Sequence, residues 1–264
     1  MRAASLLAIL AGCAGAEATT LPQTAAPPAQ AELGLVPGES MSYTVQLAGV
    51  LVGEAQLAVG EIGNVDGKRA IVVRSKAATA GAAALLKKMS DEAITTIDVD
   101  TGHPLSVETN VVNGDKITTA TAKFTGSIAD VTYRRDGGPP NRMRIDFKTE
   151  ELHDMHSAMA QLRGWHAAPG TTRTVFVVGG RRLWRIDVKY AGEETIGLAG
   201  GNRRAVIYDG MSFRARRDLS IESKTPARTF RVWLSDDADR VPLRCTAKTE
   251  LGDIAMDLVE YNRP

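Results

Sequence analysis

Apolar and polar residues alternate with a period of two through most of this chain, and that restricts what it can fold into. Met41, Tyr43, Val45 and Leu47 alternate with Ser42, Thr44 and Gln46. The same beat runs through Met143, Ile145 and Phe147, through Trp184, Ile186, Val188 and Tyr190, through Phe230, Val232 and Leu234, and through Ile254, Met256 and Leu258. Successive side chains of a strand point to opposite faces, so each run predicts a strand with one apolar and one wet face. Between the runs stand Asp100-Thr101-Gly102, Asn113-Gly114, Gly179-Gly180, Gly200-Gly201-Asn202 and Gly252-Asp253, residues that tolerate the positive φ of tight turns. Parallel strands need long crossovers, so short connections predict an antiparallel meander of about a dozen strands. The apolar face of such a sheet is covered either by sandwich packing or by curling. Curling is favoured, giving a mainly β fold: a large curved antiparallel sheet or open barrel-like meander with two short helices plugging its mouth.

Those helices are the two segments that break the alternation. Gly81–Met89 places Ala82, Leu85, Leu86 and Met89 on one helical stripe, with Lys87 and Lys88 off it. Thr149–Gly164 places Leu152, Met155, Met159 and Leu162 on another, with acids in the first turn, Arg163 in the last and Gly164 as a C-cap.

The N-terminal residues read differently. Met1 and Arg2 precede an apolar run from Ala3 to Leu10, an export-signal pattern too short to span a bilayer. Leu10-Ala11-Gly12-Cys13 fits the cleavage and acylation site of a bacterial lipoprotein, which predicts a signal peptide at 1–12 and a lipid on Cys13. Ala14, rather than Asp, then points to the outer membrane. Residues 13–37 are mostly Ala, Thr, Pro, Gln and Glu without an apolar face, a composition expected to form a disordered tether reaching about 25–30 Å. Residues 38–264 remain for a single β-rich domain. Its lone cysteine, Cys245, offers neither a disulfide framework nor a cysteine metal site and is expected to be buried.

The formal net charge is +1, yet Thr171–Arg231 carries 13 Lys and Arg against 6 Asp and Glu. Such a segment suits anionic lipid headgroups, or is simply one solvated sheet face. Nucleic acid is not expected, because no aromatics interleave the arginines as a stacking platform requires. Nor does the chain carry a catalytic signature. The nearest approach to a nucleophile elbow, Gly210-Met211-Ser212-Phe213-Arg214, lacks the second glycine. His153 and His156 lie three apart with Asp154 beside them, a pair of imidazoles and a carboxylate able in principle to hold zinc, but His156 falls on the apolar stripe, where a satisfied core histidine is the usual occupant. Trp233–Arg240 stacks three aspartates without the glycine and distant glutamate of a calcium loop, so it reads as a polar turn. No metal and no cofactor are expected.

Three stretches carry a family resemblance. Trp233, Ser235, Asp237, Arg240, Pro242 and Gly252 in the C-terminal run, the opening Gly38-Glu39 with Tyr43 and Gly49-x-x-x-Gly53-Glu54-Ala55, and Asp154, Ser157, Leu162 and Arg163 on the second helix resemble the bacterial exported-protein family called domain of unknown function 3108. The resemblance spans Gly38 to Tyr261 and implies location and fold more than activity.

Together these readings lead to a non-enzymatic lipoprotein of the cell envelope, held in the periplasm by a membrane anchor, with a curved β domain that binds an apolar or lipid-like ligand. Leu85, Leu86, Met155 and Met159 are the expected apolar lining, and Arg181, Arg182, Arg203 and Arg204 the expected contacts to an anionic headgroup. The alternative is an assembly or scaffolding lipoprotein that acts through protein–protein contacts. A metal-dependent hydrolase built on His153 and His156 is the third reading.

Overall fold

The computed structural model describes residues 33–148, 151–249 and 251–264. The expected signal peptide, Cys13 and all of the expected tether before Leu33 lie outside them. The chain runs β1 (Ser40–Leu47), β2 (Val50–Val59), β3 (Gly63–Val65), β4 (Lys68–Thr79), α1 (Gly81–Leu86), β5 (Met89–Asp98), β6 (Pro104–Asn113), β7 (Lys116–Thr125), β8 (Ile128–Arg135) and β9 (Asn141–Asp146). It continues through β10 (Leu152–His153), α2 (Met155–Arg163), β11 (Thr172–Gly179), β12 (Arg182–Leu198), β13 (Gly201–Ala215), β14 (Arg228–Ser235), β15 (Pro242–Thr249) and β16 (Gly252–Asn262).

All strands join one sheet, in the order β10-β11-β12-β13-β14-β15-β16-β1-β2-β4-β5-β6-β7-β8-β9, with β3 paired to β4. Every pairing is antiparallel except the two-residue β10–β11 contact. The sixteen strands exceed the expected dozen because several carry small or hydroxyl residues where large apolar ones would mark the beat. In β7 the buried positions are Ala120, Ala122 and Phe124, set between threonines and a lysine.

The sheet is open in its hydrogen bonding but closed by packing. Val131, Ile145 and Phe147 from one wing meet Leu152, Phe176, Val178 and Leu183 from the other in a single apolar cluster. The Phe147 and Phe176 rings sit edge to face at 6.1 Å. Because the strands meander, their connections alternate between two ends. The near rim carries the chain's entry at Glu39, the β14–β15 loop and the end of β16; the distal rim carries α1 and the β1–β2, β6–β7, β8–β9, β11–β12, β13–β14 and β15–β16 connections.

Leu33–Pro37, placed in the tether by composition, is packed against the domain. Leu33 and Leu35 lie on a cluster of Val59, Ile71, Val73 and Ile97. Gly34 donates its N–H to the Ala160 carbonyl, and a Cβ there would stand 2.4 Å from that of Arg163. The described residues from Leu33 onward supply sixteen strands and extended apolar clusters, a core of domain size, so Leu33–Pro264 is expected to fold as a unit.

Gly210, the residue that hinted at a nucleophile elbow, has a packing role. It faces Phe230 across the β13–β14 pair, and a Cβ would lie 2.0 Å from the ring. The aromatic ring covers the bare backbone. Gly210→Ala is expected to cost about 1–3 kcal/mol through overpacking, read as a lower urea midpoint at unchanged slope; an unchanged midpoint would contradict this role.

Candidate functional site

The concave face of the sheet is crossed by α2, and the way this helix is held defines the site. Asp154 caps it: its carboxylate accepts from the Ser157 and His156 N–H groups while Ser157 Oγ accepts from the Asp154 N–H, a reciprocal capping box. The acids expected inside the first turn are replaced by this single cap. Apart from Ala160, the side chains that α2 buries are polar. His156, Ser157, Gln161 and Arg163 are buried, whereas Met155, Met159 and Leu162 are only half-buried.

At both ends of the helix the buried polar groups have partners far along the chain. Thr95 Oγ1 lies 2.5 Å from Asp154 Oδ2 and 2.7 Å from His156 Nδ1; Ser75 Oγ lies 2.7 Å from His156 Nε2. A hydroxyl has one hydrogen, so Thr95 donates to the carboxylate and accepts from Nδ1–H, leaving Nε2 to accept from Ser75. Burial lowers the His156 pKa and keeps the ring neutral, against the opposing pull of Asp154. At the other end of the helix, Arg163 forms a bidentate pair with Glu39 at 2.5 and 2.9 Å and also donates to the Asp239 carbonyl. Tyr261 reaches both Glu39 and Asp239.

Pinned in this way, α2 leaves its methionines facing empty space. On one side, Met155, Met159, Trp165, Val175, Ile186 and Val232 help line a cavity of about 70 Å³. On the other, Met155, Met159, Val45, Ala77, Ile254 and Met256 help line one of about 120 Å³. An apolar cavity of roughly 150 Å³ holds benzene, and drug-sized ligands need about 300 Å³ or more. Neither cavity alone reaches either volume. Rotation of Met155 and Met159, unbranched and adaptable, would join the two.

The other expected site residues fall elsewhere. Leu85 and Leu86 line neither cavity: α1 ends at Leu86 rather than Met89, buries no residue, and leaves both leucines 90% exposed on the distal rim. The four arginines do not gather round one headgroup. Arg181 and Arg182 stand at the distal end of the β12–β13 hairpin, whereas Arg203 and Arg204 stand at its other end, paired in register with Ile196 and Thr195. There Arg204 meets Glu193 and Asp236, and Arg203 lies 3.8 Å from Asp237.

The histidines serve separate contacts. His153 accepts or donates at Nδ1 to Ser157 Oγ and stacks on His103 at 5.2 Å, away from the partners of His156. Among the described residues no group of three His, Cys, Asp or Glu side chains is arranged to hold a metal ion. Trp233–Arg240 forms a polar turn: Asp237 accepts from Ser235 Oγ and from the Asp239 and Arg240 N–H groups, and Ser235 Oγ accepts from Val241. Cys245 is buried, its thiol pushed up to about 12 by desolvation. The pair that locks the site, Glu39 with Arg163, was not anticipated. Both residues stand in the stretches that resemble the family, but 124 positions apart, and no local pattern links them.

An open, strongly curved antiparallel sheet with a helix across its concave face places the molecule among barrel-like β proteins. The chain belongs to the family described as protein of unknown function (DUF3108), whose model matches residues 42–259. It shares its fold with a β-barrel-like protein of domain family DUF1849 from Brucella abortus, at 9% identity and a TM-score of 0.54, covering 86% of this chain and 98% of that one. Looser likenesses are to an exported protein with a YmcC-like fold from Bacteroides fragilis (9% identity, TM-score 0.40, 86% and 96% covered) and to YmcC, a hypothetical lipoprotein of Escherichia coli (12%, 0.31, 90% and 91%). No curated protein matches the chain. Among the described residues no helix is long and apolar enough to cross a membrane.

Proposed function

We propose that this protein is a cell-envelope lipoprotein, exported by its signal at 1–12 and acylated on Cys13, whose β domain holds an apolar, acyl-like ligand without acting on it chemically. The observation that carries this reading is the inverted burial of α2. A helix that merely filled the core would turn its methionines inward and leave its polar residues to water. Here buried hydrogen bonds fix the helix to Ser75, Thr95 and Glu39, and the methionines border the two cavities. Anchoring at a membrane facing the periplasm is supported by Leu10-Ala11-Gly12-Cys13, and the outer membrane by Ala14.

The test is native mass spectrometry with solvent extraction on Leu33–Pro264, purified from a bacterial periplasm without detergent. A stoichiometric apolar adduct released on denaturation is expected. Met155→Trp with Met159→Trp should fill both cavities and remove the adduct while the domain stays folded. An apo mass from the parent domain, or an adduct unchanged in the double variant, would overturn the carrier reading and favour a scaffolding lipoprotein.

A further inference from the structure

The distal rim combines two features that the ligand site does not use. The first is apolar. Val50 and Leu51 at the β1–β2 turn, Leu85 and Leu86 on α1, Ile117 at the start of β7 and Leu251 at the β15–β16 turn are all exposed, and all stand at this end of the sheet. The second is cationic. Arg135, Arg181, Arg182, Arg214 and Arg228 converge where the two wings of the sheet meet. Arg214 and Arg228 lie over the Trp184 ring at 5.4 Å each, and Glu222 stands 3.6 Å from Arg214. Burial and then the neighbouring guanidinium groups pull the pKa of Arg181 and Arg182 below its ordinary value. Lys87 and Lys88 follow the exposed leucines directly. At the near rim the charges are largely paired off: Asp100 with Arg69, Asp236 with Arg204, Asp237 with Arg203 and Asp239 with Arg263.

Like charges so close together favour a further anion beside them, beyond the Glu222 that already meets Arg214. Apolar tips that share a rim with Lys and Arg fit a surface that is negatively charged outside and apolar a few ångströms below. A second copy of this chain fits poorly, since it would bring the same positive rim against itself. We propose that the distal rim docks onto an anionic lipid bilayer, the leucines entering the interfacial layer and the arginines and lysines meeting lipid phosphates. Docking does not need the cavities, so this proposal and the carrier reading fail separately.

The test is co-sedimentation of Leu33–Pro264, free of any acyl anchor, with vesicles of phosphatidylglycerol and phosphatidylethanolamine in equal parts, against vesicles of phosphatidylcholine. Binding to the anionic vesicles should be about tenfold or more stronger. It should weaken as the Debye length shrinks from about 10 Å at 0.1 M salt to about 3 Å at 1 M. Leu85→Glu with Leu86→Glu, and separately Arg181→Glu with Arg182→Glu, should each lower it by about tenfold or more with melting temperature retained. Arg203→Ala with Arg204→Ala, at the near rim, should leave it unchanged. Equal binding to both kinds of vesicle, no binding to either, or full binding by the leucine variant would overturn the proposal. A dimer that disperses in the leucine variant, without vesicle binding, would assign the face to a second copy and overturn it too.

Discussion

Arg163→Met is expected to lower the unfolding free energy of the domain by about 3–5 kcal/mol, the usual result of stripping one partner from a fully buried ion pair. The Arg163 and Glu39 side chains are 1% and 0% exposed, so solvent cannot take over the carboxylate once the guanidinium is gone. Glu39 also accepts from the Val36 N–H and from Tyr261, and Arg163 donates to the Asp239 carbonyl. One interaction thus ties the entry segment, the start of β1, the end of α2, the β14–β15 loop and the end of β16. Burial first, then Glu39, pushes the Tyr261 phenol above its ordinary pKa. Replacing both partners by apolar residues removes the orphaned charge, so Glu39→Leu with Arg163→Met should recover most of the loss. Urea midpoints at constant slope provide the measurement. A single-variant loss below about 1 kcal/mol, or a double variant no better than the single, would contradict this account.

Much of the fold was legible because a strand's period depends only on its own residues. Met41 through Leu47 and Trp184 through Tyr190 alternate as they stand, and β1 and β12 follow. The site was less legible because its determinants are not local. A helical wheel puts Leu152, Met155, Met159 and Leu162 on the buried face of the second helix. It cannot see that Ser75, Thr95 and Glu39 will meet the opposite residues and draw His156, Gln161 and Arg163 inward. A charge count over Thr171–Arg231 finds a basic segment, but only the β12–β13 register shows that Arg182 and Arg203 stand at opposite ends of one hairpin. The stripe that holds Leu85 and Leu86 implies a partner, which is why the sequence alone points to them as lining. Among the described residues nothing covers Leu85 and Leu86, which is the reason to look for their partner in the membrane.

Acid should destabilise the domain well before its carboxylates titrate. Burial first, then the charges of His103 and Arg173, holds the His153 pKa down to about 3, against 6.5 for an exposed imidazole, and burial lowers His156 as well. The folded pKa lies below the unfolded one, so as pH falls through 6.5 the unfolded chain takes up protons that the native protein refuses. The stabilisation is therefore fully present above about pH 6.5 and is lost progressively toward pH 3. At 1.36 kcal/mol per pH unit for each proton, His153 alone removes on the order of 4–5 kcal/mol across that window. Unfolding free energies from urea titrations should hold level above about pH 6.5 and fall with a slope approaching one proton or more between about pH 6 and 4, where His153→Phe should reduce that slope by about one. A parent slope well below one proton there, or one unchanged by the substitution, would show that His153 is not held neutral. His156 adds a local consequence. Protonated, it can no longer accept from Ser75 at Nε2, so the contact that pins α2 over the cavities must reverse, the Ser75 hydroxyl turning to accept.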